Sequence, residues 1–146
     1  MWVFTIYGFF SVVNTTSYHN KSNGDAFPDN QRIEVRSRYK EHLELLKERF
    51  SDEIGDEKII GYDDPDGKNR NRDYEYRIII DAEKWVHLGA MLSADVTYPN
   101  FKSEVHESCE NFPELRSTPY LEQMYAVYND VQNEERWGMN PGRTIN

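Results

Sequence analysis

Cysteine is almost missing from this 146-residue chain. Cys109 stands alone, so no intrachain disulfide can form, and a reducing, cytoplasmic setting is the expectation. Basic charge is short as well, with 17 Lys and Arg against 26 Asp and Glu and a net charge of −9. That balance argues against direct nucleic-acid binding through a broad basic surface, and against docking on an anionic membrane. No apolar run reaches the ~18 residues of a membrane span. The N-terminus lacks a basic n-region and a small-residue cleavage site, so it does not read as a signal peptide. Walker, Gly-x-Gly-x-x-Gly and Gly-x-Ser-x-Gly patterns are absent, which removes the common phosphate and acyl-transfer signatures. The expectation is a chain without cofactor or metal, leaning away from enzyme activity.

What is present is a folded core. Hydrophobic residues make up 38% and aromatics 14% of the chain, enough to pack one domain without staples. The most apolar stretch is Trp2 to Val13, aromatic and β-branched, interrupted by Gly8. It reads as two strands around a turn at Tyr7-Gly8, placed mid-sheet because both faces are apolar. Asn14 to Asn30 is polar and reads as a long mobile loop. Arg32 to Arg38 alternates, with Ile33, Val35 and Ser37 on one side and Arg32, Glu34, Arg36 and Arg38 on the other. Tyr39, Leu43, Leu46, Phe50 and Ile54 then form a helical stripe that Gly55 stops.

Lys58 to Tyr62 reads as a short strand, residues 63–69 as a turn, and Tyr74 to Ile80 as a second clear strand. Asp81 suits the N-cap of a helix striped by Trp85, Leu88, Leu92 and Val96. Pro99 opens a helix carrying Phe101, Val105 and Cys109, and Thr118-Pro119 opens the last one, through Leu121, Met124, Tyr125, Tyr128 and Val131. Residues 137–146 read as a flexible tail. The fold class expected is α+β: one domain over 1–136, with a strand–helix–strand–strand–helix core. The sheet is antiparallel or mixed, and the C-terminal helices pack mainly on one face.

Several pieces carry a family likeness: Met1-Trp2-Val3-Phe4-Thr5, Tyr7-Gly8-Phe9-Phe10-Ser11, Arg32-Ile33, Val35-Arg36, His42-Leu43-Glu44, Asp73-Tyr74 and Asn100-Phe101-Lys102-Ser103-Glu104-Val105. Together they resemble a family of small uncharacterised bacterial and phage-type proteins, over roughly the first two thirds of the chain, with a weaker echo from Tyr125 to Val131. The opening and the Asn-Phe-Lys-Ser-Glu-Val piece are the specific parts. The resemblance implies no particular activity.

Candidate chemistry is sparse. Asp64-Pro65-Asp66-Gly67 suggests a calcium loop, yet Tyr62 and Asp73 stand where an EF-hand needs its first acid and its glutamate, so a hairpin turn is the better reading. His106 and Cys109 are three apart on a helix, but a zinc site needs two further ligands. The carboxylates of Asp63 to Asp66 and Glu134-Glu135 read as solvated.

The arginines say more. Arg36 and Arg38 point away from the Ile33/Val35 face, and Arg77 away from Tyr76, Ile78 and Ile80, so the three are expected on one sheet face. Clustered guanidinium groups in an acidic chain suit an anionic ligand, with Tyr7 as a candidate to stack on a base and Asn100 and Lys102 as polar contacts at a helix start. The competing reading pairs Arg36 and Arg38 with Glu34, Glu75 and neighbouring acids as cross-strand ion pairs. The sequence-level function is a non-enzymatic binding domain for a small anionic ligand, a nucleotide among the candidates. The phage-type likeness extends this to sequestering a defence signal. The alternative is an acidic inhibitor that blocks a nucleic-acid-binding partner protein.

Overall fold

The computed structural model describes residues 1–17, 27–61 and 73–132. Strands β1 (Trp2–Thr5), β2 (Gly8–Ser17), β3 (Phe27–Ser37) and β4 (Tyr76–Asp81) form one sheet in the order β1-β2-β3-β4, antiparallel at every pairing. Helices α1 (Lys40–Arg49) and α2 (Ser51–Ile54) follow β3, and α3 (Ala82–Ala94), α4 (Phe101–Asn111), α5 (Pro113–Arg116) and α6 (Tyr120–Gln132) follow β4. The class is α+β, as the order of patterns requires.

Period two decides which side of the sheet becomes core. Phe10, Val12, Val35, Ile78 and Ile80 project to one face and are each 5% exposed or less. Leu43, Leu46, Phe50 and Ile54 meet them from α1 and α2, with Leu88, Val105, Leu115, Tyr120 and Met124 from the later helices. Each such side chain removed from water contributes about 1.5–3 kcal/mol before entropy is counted. Gly55, at φ +64°, ends the first helical run where the stripe of leucines ends, and its N–H closes on Ser51 O at 2.8 Å.

The β1–β2 turn is tied from within. Thr5 Oγ1 accepts from Tyr7 N–H and donates to Gly8 O, both at 3.0 Å. Gly8 sits at φ +133°, and a Cβ there would lie 2.5 Å from Cγ of His42. His42, 1% exposed, links three elements: its Nδ1 accepts from Phe9 N–H at 3.4 Å and lies 3.2 Å from Ser37 Oγ, and its Nε2 lies 3.2 Å from Thr118 Oγ1. Tyr39 and Tyr120 pack edge-on against the ring.

Several expectations are corrected. β2 is internal, but β1 is an edge strand. Its two apolar faces report what lies above and below the sheet, and say nothing of neighbours along the hydrogen-bonding direction. The stretch 14–30 is not all loop, because β2 runs to Ser17 and β3 begins at Phe27. Lys58–Tyr62 supplies no strand among its described residues, only a two-bond bridge between Ile60 and Arg77. Asp81 occupies the N-cap of α3 without a side-chain cap bond, and its carboxylate instead lies 3.8 Å from Arg32 Nε. Asn100, not Pro99, opens α4, its Oδ1 accepting from Ser103 N–H at 3.0 Å. The Thr118 hydroxyl donates to Leu115 O, and α6 begins at Tyr120. The mobility expected of the loop interior and of the 137–146 tail lies outside the described residues, as does the 63–69 turn. No helix among the described residues is long and apolar enough to cross a membrane.

Candidate functional site

Register brings one row of side chains into line across all four strands: Trp2 opposite Ser11, Ser11 opposite Arg36, Arg36 opposite Arg77. The row lies on the face away from Val12, Val35 and Ile78, and period two carries Arg38 to the same side. The three arginines therefore share a face, as their alternation requires.

They do not share an environment. Arg77 is 4% exposed; its Nη1 lies 3.1 Å from Glu34 Oε2 and its Nη2 donates to Tyr74 O at 3.2 Å. Arg36 is half-buried, and its Nη2 donates to Ser11 Oγ at 2.8 Å. Its guanidinium carbon stands 5.1 Å from the Tyr74 ring centroid, and that of exposed Arg38 stands 5.8 Å from the same ring. Arg36 Nε is buried without a hydrogen-bond partner among the described residues. Among the described residues, neither Arg36 nor Arg38 is in salt-bridge contact with a carboxylate. Glu34 is thus the acid that the structure pairs within this group of three guanidinium groups. Arg36 and Arg77 also face each other directly, an arrangement that repels on its own. The result is local positive charge in a chain of net charge −9.

Aromatic rings continue the site toward β1. Phe9 lies 6.3 Å from Tyr74, Phe4 stacks on Phe9 at 4.5 Å, and Trp2 meets Phe9 edge-on at 6.1 Å. Trp2 is 71% exposed, whereas Tyr74 is buried under the arginines. Two strand spacings, roughly 10 Å, separate the backbone positions of Trp2 and Arg36.

Tyr7 is elsewhere. It is buried in the turn, its hydroxyl donating to Asp95 Oδ2 at 2.7 Å and accepting from Arg49 Nε at 3.0 Å. Burial, then the bond to Asp95, raises its phenol pKa. It ties the hairpin to the ends of α1 and α3, and lines a cavity of about 440 Å³ with Trp85 and Leu92. Asn100 and Lys102 lie on α4. The Asn100 side chain caps its helix, and Lys102 Nζ is held 4.5 Å and 5.0 Å from the ring centroids of Tyr125 and Tyr128.

Sequence reasoning missed Tyr74, Ser11, Phe9 and Trp2 as site residues. Alternation through the opening run carried the signal for the last three, since Ser11 shares parity with Phe9. The sequence pattern opens the strand at Tyr74 with the parity of Tyr76 and Ile78, but β4 begins at Tyr76, and outside the strand Tyr74 turns to the arginine side.

Among the described residues no three or more His, Cys, Asp or Glu are grouped to hold a metal. His106 pairs with Glu110 at 3.6 Å, and burial raises the pKa of the Cys109 thiol, which sits in the core as a small apolar group. Chelator or reductant is accordingly expected to leave the melting temperature unchanged; a shift of several degrees with EDTA would show a structural metal.

No family model matches the chain, and neither does any curated protein or solved structure.

Proposed function

We propose that the chain is a non-enzymatic binding domain for a small anionic ligand of the nucleotide class, received on the sheet face at Arg36 and Arg38. The observation that carries the reading is the pair of guanidinium groups over Tyr74, without carboxylate partners among the described residues, in an otherwise acidic protein. Guanidinium donors suit phosphate oxygens, and exposed Trp2 with half-buried Phe9 offers a surface for a planar ring. Arg77 serves as support, its charge met by Glu34. Sequestration of a nucleotide signal in a phage–host setting is the biological form that the family resemblance suggests for this activity.

Calorimetric titration with adenosine 5′-monophosphate, pyrophosphate and inorganic phosphate tests the reading. Arg38→Ala removes an exposed side chain, so its cost in stability should be small. Its cost in affinity for the nucleotide should be about tenfold or more, the worth of a charge-assisted hydrogen bond. Arg36→Ala should lower affinity similarly. Unchanged affinity in both variants, or no binding by the wild type, would remove the proposal and leave the acidic inhibitor of a protein partner as the reading to pursue.

A further inference from the structure

Aromatic residues do not stop at Phe4. The same side chain, on the strand at one end of the described sheet, lines a hollow of about 200 Å³ with Phe101, Met124, Val127, Tyr128 and Val131. Tyr128 in turn borders a polar hollow of about 430 Å³ that holds Asn100, Lys102, Ser103 and His106. A series of neighbouring groups therefore runs from Arg36 and Arg38 through Tyr74, Phe9 and Phe4 to Tyr128 and Lys102. Its described steps are 6.3 Å from Tyr74 to Phe9 and 4.5 Å from Phe9 to Phe4.

The two ends have the same character. Lys102, like Arg38, is in salt-bridge contact with no carboxylate among the described residues, and it also rests on aromatic rings. A cation over a ring face keeps its outward donors for another acceptor. Between the ends lie half-buried Phe4 and Phe9 and exposed Tyr128 and Val127. Those surfaces are open to flat or apolar groups and offer little to an isolated phosphate.

Resting on the ligand class proposed above, we infer that the ligand is elongated and carries an anionic group at each end. One would sit at Arg36 and Arg38, the other at Lys102, with ring systems lying over the aromatic residues between. A dinucleotide phosphorylated at both its 5′ and its 3′ end has this chemistry, with a terminal phosphate at each end and both nucleosides between. A mononucleotide satisfies only one end.

The test compares adenosine 5′-monophosphate with the adenylyl dinucleotide phosphorylated at both its 5′ and its 3′ end, by calorimetry, on wild type, Lys102→Ala and Arg38→Ala. The inference expects wild type to bind the dinucleotide about tenfold or more tightly than the mononucleotide, as one added charge-assisted contact would give. Lys102→Ala should abolish that preference while leaving mononucleotide affinity within twofold; Arg38→Ala should weaken both ligands. Tyr128→Ala, which alters an exposed ring, should reduce the preference without lowering the melting temperature. Equal affinity of wild type for the two ligands, or an unchanged preference in Lys102→Ala, would overturn the inference while leaving the arginine site standing. If Arg38→Ala and Arg36→Ala also change nothing, or the wild type binds neither ligand, the arginine site falls with it.

Discussion

Gly8→Ala is expected to lower stability by about 2–6 kcal/mol, enough to unfold a marginal domain, and it is the largest single-site effect anticipated. Two costs combine. Gly8 holds φ +133°, where an L side chain is strained by about 1–3 kcal/mol. The added methyl would also meet His42 Cγ at 2.5 Å and Cβ at 2.8 Å. His42 cannot swing clear, because Ser37, Thr118, Tyr39 and Tyr120 surround its ring. Overpacking of that kind costs typically about 1–3 kcal/mol more. Urea denaturation followed by fluorescence measures the sum. In a His42→Ala background the approach to the ring disappears while the 2.8 Å approach to Cβ persists, so part of the packing cost should be relieved and the two changes should be non-additive. A Gly8→Ala protein with wild-type midpoint would show that the turn relaxes.

The second large effect is on pH. Burial of the His42 ring, partly offset by the backbone of Phe9, pushes its pKa down from 6.5 to about 4. Between those values the unfolded chain binds a proton that the folded protein refuses. Stability is therefore full above pH 6.5 and falls as pH drops toward about 4, where the folded ring also protonates. At about 1.4 kcal/mol per unit, the loss amounts to about 3 kcal/mol. Denaturant midpoints taken at half-unit intervals from pH 7.5 to 4 should show that decline. Replacement by a non-titrating residue, His42→Gln, should flatten it whatever its own baseline. A decline of equal slope in the variant would assign the acid sensitivity to carboxylates.

Much of the architecture is legible in the residues, because periodicity is a local property. The alternation through Ile33, Val35 and Ser37 and the stripe of Leu43, Leu46, Phe50 and Ile54 each mark their element and buried face, and Gly55 marks the stop. Long-range placement is not written that way. Nothing in Trp2–Thr5 says that it comes last in the order of the described strands, and nothing near His42 announces Thr118, 76 residues on. Capping misleads for a related reason. Asp81 is a suitable residue at the right place, but in the structure its carboxylate faces Arg32 across the register that aligns them.

The site divides along the same line. Parity places Arg36, Arg38 and Arg77 on one face correctly, yet it cannot say that Glu34 is drawn to Arg77, or that Tyr74 lies beneath the other two. Tyr7 sits in the turn, outside any alternation, and its hydroxyl is used by Asp95 and Arg49 on the far side of the hairpin. Asn100 is consumed by its own helix start. Lys102 stands over tyrosines that come from a helix more than twenty residues later.

The central claim is that Arg36 and Arg38 receive an anionic ligand. Its most direct test is to denature purified wild-type protein and an Arg36→Ala/Arg38→Ala double variant, prepared identically, and to identify released small molecules by mass spectrometry. The account predicts a phosphate-bearing nucleotide released from the wild type and absent from the double variant, with both proteins folded by circular dichroism. Equal release of that molecule from the two proteins would contradict it.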